Sequence, residues 1–314
     1  MELLFNNENK GQVEIKKTLG FLNAGFTYEN IEPDLYLWTP DLVDIIGQET
    51  YDRIVTFYKA ASNPTGTAQE IATNRAILKY AQLYVLSMGY LAYSSDNDLI
   101  HGNDGRSSRS EEDQEKPFEW QINKSNSSIK KRAYRALDLL ILELDGSNWT
   151  EWTESDQYSK SKNVFLKNTK EFHAVFPINK SGQLYYRLVP FMDDIENDEI
   201  KPILGATVFG DLKSKSDPNE DEEKLILLIK KAVAYKSLGK ALKAFPVEMF
   251  PEGMVHTENT RMKSEARAEV MQFMNKEGDD YMLKLEYEYA QQNQTFEDIP
   301  LTNGLNEDSK YVDL

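Results

Sequence analysis

The sequence predicts a mostly α-helical protein with two tandem copies of a four-helix domain, short extended segments and a C-terminal arm. Apolar residues recur three and four positions apart over long stretches, which is the period of an amphipathic helix. A ten-residue segment around Gly47 is echoed around Gly205. The residues after 292 are polar with isolated apolar side chains, too few to form a core of their own.

The repeated segment runs from Ile45 to Ile54 and again from Ile203 to Leu212, an offset of 158 residues. In both copies a Gly follows two aliphatic residues and precedes a new apolar pattern, which indicates a C-cap between two helices. Each copy is followed by a long helix with a Ser-apolar-Gly step. These steps, Ser87–Gly89 and Ser237–Gly239, are 150 residues apart, so a loop between helices is expected to differ in length. The repeat predicts domains over residues 1–157 and 158–292 and an arm over 293–314.

In the first domain the pattern predicts a short helix over 13–19 and an extended segment over 33–38. Thr39 and Pro40 have the chemistry of an N-cap and a first helical residue, so a helix is expected from there to Gly47. Further helices are expected over 48–61 and 68–93. A polar loop or hairpin over 94–117 follows, and then a fourth helix that ends at Asp145-Gly146.

A polar linker with Trp residues is expected over 148–162. In the second domain the sequence pattern then predicts a helix over 170–176 and an extended segment over 183–188. Helices are expected over 190–197, 206–213, 220–244 and 258–290, and Gly278 is expected to interrupt or bend the last one. In the tail, spaced apolar anchors suggest an arm that orders against a partner; they are Phe296, Ile299, Leu305 and Tyr311.

Composition limits the possible functions. The 314 residues contain no Cys, which excludes disulfides, thiolate nucleophiles and Cys-ligated zinc and fits a reducing cytoplasm. A formal net charge of −16 repels nucleic-acid phosphates, so specific DNA binding is not expected. No run approaches the ~20 apolar residues of a membrane span, so no membrane association is expected.

Catalytic motifs are missing from the sequence. The three His residues lie in separate segments without metal-ligand spacing, and we expect them to be surface or capping residues. No Gly-rich phosphate loop follows a predicted strand. We therefore predict a protein that is not an enzyme, with no catalytic residue, cofactor or metal.

One basic cluster, Lys130-Lys131-Arg132 with Arg135, contrasts with the acidic chain. It is either a solvated helix face or a surface that docks onto an acidic neighbouring subunit. The candidate interface residues are therefore these four and three tail anchors: Lys130, Lys131, Arg132, Arg135, Phe296, Ile299 and Tyr311.

Several short motifs resemble the head–tail adaptor (connector, ring or head-completion) proteins of tailed bacteriophages, especially duplicated versions from phages of Bacteroides-type hosts. The motifs are Pro202-Ile203-Leu204-Gly205 with its echo around Gly47, Phe176-Pro177-Ile178-Asn179, Lys116-Pro117-Phe118-Glu119-Trp120-Gln121 and Phe250-Pro251-Glu252-Gly253. The resemblance covers most of residues 1–292. The commonest adaptor pattern has one helical domain, and this chain departs from it.

The resemblance implies a virion structural protein that assembles in the host cytoplasm into a ring, commonly of twelve subunits. Such a ring lies in the virion neck beneath the portal, contacts other neck or tail proteins and continues a channel through which DNA passes without specific binding. The arm would reach a neighbouring subunit or the portal. Two alternatives stay open: a bacterial cytoplasmic helical-repeat scaffold that binds a protein or peptide, and an enzyme whose site is assembled across subunits.

Overall fold

The computed structural model describes residues 1–61, 63–97, 99–102, 105–108, 118–244 and 262–293. Most of these residues are helical, so the predicted mostly-α class is confirmed. The described residues also contain an antiparallel β-hairpin. It is formed by strands β1 (Leu99–Gly102) and β2 (Gly105–Ser108), and Leu99 pairs with Ser108. It falls where the sequence predicted a loop or hairpin.

The first half contains a short 3-10 turn (Asn7–Asn9) followed by helices whose ends match most of the predictions within a few residues. The helices are α1 (Gly11–Leu19), α2 (Glu32–Ile46), α3 (Gln48–Lys59), α4 (Ala68–Asn97), α5 (Glu119–Gly146), α6 (Thr150–Thr153) and α7 (Asp156–Lys162). The second half contains α8 (Thr169–Val175), α9 (Gly182–Ile195), a π-helical segment (Glu196–Ile200), α10 (Lys201–Leu204), α11 (Ala206–Ser214), α12 (Glu220–Ala244) and α13 (Met262–Asn293).

Both predicted extended segments are wrong, because residues 33–38 and 183–188 lie inside helices α2 and α9. Thr39 is not an N-cap; its hydroxyl donates to the Leu35 carbonyl 2.6 Å away in the middle of α2, and Pro40 is an interior residue. The aromatic content suggested strands. Burial with helical spacing at Leu35, Leu42 and Ile46 overrides that local preference.

The predicted linker over 148–162 is also wrong, since it forms α6 and α7 and packs into the first half. Trp149 and Trp152 are buried, and the Trp152 indole N–H donates to Asp145 over 3.0 Å. The polar residues around Trp149 and Trp152 suggested a linker, although these two side chains anchor the segment in the core. The change from the first core cluster to the second falls between Trp152 and Val164.

Gly47 and Gly205 have nearly the same backbone conformation, with φ/ψ of 84°/151° and 76°/155°. This region of φ/ψ space is available almost exclusively to Gly. Each residue ends one helix, where its N–H donates to the carbonyl four residues earlier, and starts the next. The C-caps predicted from the repeated segment are therefore present at both places.

The helix before the second Gly is longer than the helix before the first. α2 has 15 residues, whereas α9, the π-helical segment and α10 run without a break over 23 residues. Both helices contain an internal Pro, at Pro40 and Pro190. The 8 extra residues equal the difference between the two sequence offsets. These extra residues precede Gly205 and are distinct from the expected difference after it. The loop before the long helix has 5 residues (215–219) in the second half and 8 (60–67) in the first, so the expected difference in loop length is present.

Each half has its own apolar core and a hairpin of two long helices. The first core extends from Leu3 to Trp152 and the second from Val164 to Leu285. In the second half, α12 and α13 approach closely because Gly239 faces Asn275 and Gly278 faces Lys236 without a Cβ. The predicted interruption at Gly278 is wrong, since α13 is continuous and this Gly provides room for the neighbouring helix instead.

Two carboxylates on α5 join the halves at a contact that we call the α5–α9 seam. Asp138 Oδ1 accepts from the Ser181 hydroxyl over 2.8 Å and from the Gln183 N–H over 3.2 Å. Two turns later, Asp145 accepts from the Tyr186 hydroxyl over 2.7 Å. Asp138 lies at the N-terminus of α9, where a negative charge is favoured by the helix dipole. These bonds orient the first turn of α9 against α5.

Replacing Gly205 with Ala is expected to lower the free energy of unfolding by about 1–3 kcal/mol, because Ala cannot adopt this backbone conformation without strain. A Cβ at Gly205 would meet no atom within 4 Å, so steric contact adds nothing to the loss. The control is Gly210→Ala inside α11, which also has open space and should gain about 0.5–1 kcal/mol. Urea denaturation measures both, and a loss of similar size in the control would contradict the assignment.

Replacing Asp138 with Ala is expected to cost about 2–3 kcal/mol, because the buried Ser181 hydroxyl and Gln183 N–H lose a charged acceptor. The loss should appear together with faster proteolysis between the halves, measured by limited digestion and mass spectrometry. Glu143→Ala on the same helix is the control. Unchanged digestion in Asp138→Ala would show that the seam does not hold the halves together.

Candidate interaction surfaces

A groove lies between the turn after α1 and the N-terminal half of α5, with a volume of about 470 Å³. We call it the α5 groove. Its side chains combine aromatic, cationic and small polar groups and are Phe21, Trp120, Gln121, Lys124, Ser125, Ser128, Ile129 and Arg132. The volume is in the range of sites that hold small ligands or a few residues of a peptide.

The aromatic walls of the groove are exposed but differently supported. Phe21 is 48% exposed and packs edge-on against Tyr90 of α4, with ring centroids 5.2 Å apart. Trp120 stands in the first turn of α5 and is 62% exposed. A large aromatic side chain left in water is a typical anchor for a partner.

The basic residues of α5 continue from the groove along the helix. The eighteen residues from Trp120 to Leu137 include no acidic side chain and five basic ones: Lys124, Lys130, Lys131, Arg132 and Arg135. Within the described residues, Lys124, Lys131 and Arg135 are exposed and have no ion pair. The predicted cluster is thus a basic surface on one helix, beside the groove.

Arg132 has a structural contact that the sequence did not indicate. Its guanidinium donates to the carbonyls of Leu19 over 2.9 Å and Thr18 over 3.3 Å. It thereby satisfies the C-terminal end of α1 and fixes that helix to α5. The predicted basic cluster therefore consists of the anchoring Arg132, the partly buried Lys130, and Lys131 and Arg135, which face solvent. The predicted anchors Phe296, Ile299 and Tyr311 lie outside the described residues.

Other large apolar side chains are exposed in both halves. In the first half they include Leu37 (71%) and Leu142 (60%), and in the second half Leu283 (62%) and Tyr287 (65%) on successive turns of α13. Leu227 on α12 is a separate exposed side chain at a similar level of the antiparallel hairpin, where Lys224 pairs with Glu288 over 3.0 Å. Adjacent exposed apolar residues of this kind mark interaction surfaces.

Glu196 is a buried carboxylate in the π-helical segment. Its Oε1 accepts from the Phe165 N–H over 2.7 Å. The Lys213 ammonium lies 2.8 Å from Oε2 but is not aligned for a hydrogen bond, so charge alone pairs this oxygen. Burial raises the pKa of Glu196 to about 7, against the opposing effects of Lys213 and the Phe165 N–H. This group connects the start of the second half to the 23-residue continuous helix formed by α9, the π-helical segment and α10.

The described residues contain neither a metal-ligating cluster nor a membrane-spanning helix. No group of three or more His, Asp or Glu among them could hold a metal ion. His173, one of the three histidines, accepts backbone N–H bonds from Ile178 and Lys180 through Nδ1, which is a capping role. No helix in the described part of the chain is both long and apolar enough to cross a membrane.

The fold and surfaces define an all-α protein with two apolar cores, exposed apolar and basic surfaces, and no metal cluster among the described residues. The chain belongs to a protein family of unknown function, DUF6712, which matches residues 42–162 and 200–297, more than half of the sequence. One matched range lies in each half. No curated protein and no solved structure matches the chain.

The burial of Glu196 predicts a pH-dependent stability. Because its folded pKa of about 7 lies above its ordinary 4.5, the folded state holds a proton that the unfolded state releases. Stability should therefore fall as pH rises from about 4.5 through 7, by up to about 3 kcal/mol. Thermal unfolding between pH 5 and 8 should give a flatter profile for Glu196→Gln. The half-buried control Glu199→Gln should keep the slope of the unmodified protein; a slope unchanged in Glu196→Gln would contradict the assignment.

Proposed function

We propose that the protein is a virion structural protein that assembles into a ring in the neck of a tailed bacteriophage, joins the portal to the tail and continues the DNA channel. The resemblance of its motifs to head–tail adaptors supports this function. In those proteins the ring commonly has twelve subunits. The location that follows is the virion neck, after assembly in the host cytoplasm.

The observation that carries the proposal is the exposure of large apolar side chains in both halves. Leu283 and Tyr287 stand one turn apart on α13. The α5 groove lies in the other half. Two different surfaces on one subunit suit head-to-tail contacts, and such contacts close into rings when the rotation between copies permits.

Tandem duplication of a helical adaptor-like domain is part of the proposal. Its support is the matching backbone conformation of Gly47 and Gly205, the shared internal Pro and the hairpin of long helices in each half. The buried N-terminal segments also correspond, with Leu3–Phe5 in the first half and Val164–Leu166 in the second. Under this proposal the chain would present two related faces per subunit.

The acidic charge fits a channel through which DNA moves without adhering. A net charge of −16 repels the phosphate backbone over several ångströms at physiological salt. The ring would therefore contact DNA weakly, and no base-reading residue is required. Partners would instead be further copies of the chain, the portal and other neck or tail proteins.

A second candidate function is a cytoplasmic helical-repeat scaffold that binds a protein or peptide. The α5 groove favours it, because aromatic and cationic side chains line a cleft of peptide size. Size-exclusion chromatography with light scattering, followed by electron microscopy, separates the two candidates. Rings of the chain alone or on the portal protein of the same genome support the adaptor. A monomer under both conditions overturns it and leaves the scaffold.

The apolar surface of α13 gives a sharper test. Leu283→Glu is expected to shift the assembly toward monomers, because it places a charge in the proposed contact, whereas an exposed side chain contributes little to the fold. Gln272→Glu, also exposed on α13, adds the same charge and should leave the assembly unchanged. Sedimentation velocity measures both distributions, and thermal unfolding confirms that both variants are folded. Rings of equal stability in the two variants would exclude this face as an interface.

A further inference from the structure

We propose that the α5 groove binds the segment Phe296–Ile299 of a neighbouring copy, and that this contact joins successive subunits. The inference rests on the proposed ring and identifies one contact between its neighbouring subunits, which we call the joint. The aromatic ring of Phe296 would enter between Phe21 and Trp120, while Glu297 and Asp298 would pair with the basic residues of α5.

The chemistry of the groove selects an acidic peptide with an aromatic anchor. Phe21 and Trp120 offer two exposed aromatic faces, and Lys124 stands one helical turn beyond Trp120, about 6 Å along the axis. Lys131 and Arg135 extend the positive surface from there. A ligand for this site therefore needs an apolar ring followed closely by negative charge.

The chain's own arm has that pattern. Residues 294–314 contain five acidic side chains and one basic one, against the five basic and no acidic residues of Trp120–Leu137. In Phe296-Glu297-Asp298-Ile299 an aromatic residue is followed directly by two acids. An extended chain covers about 7 Å from Phe296 to Asp298, close to the one-turn distance from Trp120 to Lys124. The charge and the residue spacing of this segment therefore match those of the α5 groove.

The position of α13 makes a second copy the source of this segment. Tyr289 donates to the Leu204 carbonyl and Gln292 to the Asp221 carbonyl, so the end of α13 is held beside the end of α10. Phe296 follows Asn293 by three residues and reaches at most about 10 Å further. Asn293, from which the segment extends, therefore lies near Leu204.

The groove lies on the other side of the α5–α9 seam. Asp138 contacts Gln183 and Asp145 contacts Tyr186, so α5 and α9 run in the same general direction where they touch. Trp120 is about 27 Å upstream of the seam along α5, and Leu204 is about 30 Å downstream along the continuous helix. For any crossing angle below 90° these points are at least about 40 Å apart, beyond the reach of Phe296 in the same chain.

Single-stranded nucleic acid is the competing ligand, because basic and aromatic side chains together can also bind it. The net charge of −16 opposes it, and the aromatic residues stand at one end of the basic surface instead of alternating with it. An arm that carries both the ring and the acids satisfies the whole site. An oligonucleotide is therefore included as an alternative probe.

Cysteine cross-linking of the full chain tests the joint, since the natural sequence has no Cys. Ser125→Cys lines the groove and Thr295→Cys precedes the aromatic anchor. A mixture of these two single variants should give disulfide-linked dimers on oxidation, and neither variant alone should do so. A mixture of Ser125→Cys with Gln272→Cys on α13 is the control and should stay uncross-linked. A chain with both cysteines that closes only on itself would overturn the proposal.

Binding of a labelled peptide of residues 294–302 tests the chemistry separately. The receptor is the full chain with Phe296→Ala, which weakens competition from its own arm. Trp120→Ala should lower the affinity roughly tenfold or more, and Lys124→Glu should lower it several-fold. Lys79→Glu is the matched control, an exposed charge reversal on α4 about 16 Å along the helix from Tyr90, and should leave affinity unchanged.

The outcomes separate this inference from the proposed function. Rings without cross-linked dimers or peptide binding would overturn the joint and leave the ring standing. Peptide binding by a chain that remains monomeric with the portal would overturn the ring and the joint while identifying a peptide groove. Tight binding of a single-stranded oligonucleotide that competes with the peptide would assign the groove to nucleic acid and overturn the proposal.

Discussion

The α5–α9 seam is the constraint on which the arrangement of the protein depends. Asp138 and Asp145 are two turns apart on one helix, and each receives donors from the second half. Burial raises the pKa of Asp145, whereas the Tyr186 hydroxyl and the Trp152 indole N–H bonded to it lower that pKa. Breaking such a contact leaves buried donors without an acceptor, which costs more than the contact itself contributes. The seam therefore fixes the direction of α9 relative to α5, and with it the distance between the groove and the end of α13.

Small residues set how closely the helices approach within this arrangement. A Cβ at Gly182 would lie 2.6 Å from Ile141, so the seam can close only with Gly at that position. Gly239 and Gly278 do the same between α12 and α13. Gly47 and Gly205 act differently, because they supply a backbone conformation and not space. These two uses of Gly look alike in the sequence, which is why Gly278 suggested a break where the structure has a contact.

Helical periodicity could be read from the sequence, and tertiary burial could not. The long helices and the caps at Gly47 and Gly205 were predictable, because each depends on residues within a few positions. The course of residues 33–38, 183–188 and 148–162 depends on which side chains the rest of the chain covers. Of the two basic side chains that line the α5 groove, Arg132 belongs to the predicted cluster and Lys124 does not. The contribution of Phe21 could not be predicted either, because it comes from the turn after α1 and meets α5 only after folding.

The charge distribution favours one kind of assembly over another. All charged side chains on the groove surface of α5 are basic, whereas residues 277–288 of α13 contain five acidic side chains and one basic one. A two-fold dimer through the groove would bring two basic surfaces together, and like charges across an interface cost several kcal/mol. A head-to-tail contact instead sets the basic helix of one copy against an acidic segment of the next. In the proposed assembly each subunit would then keep one unsatisfied surface of each kind, and a ring would form where the rotation between copies closes.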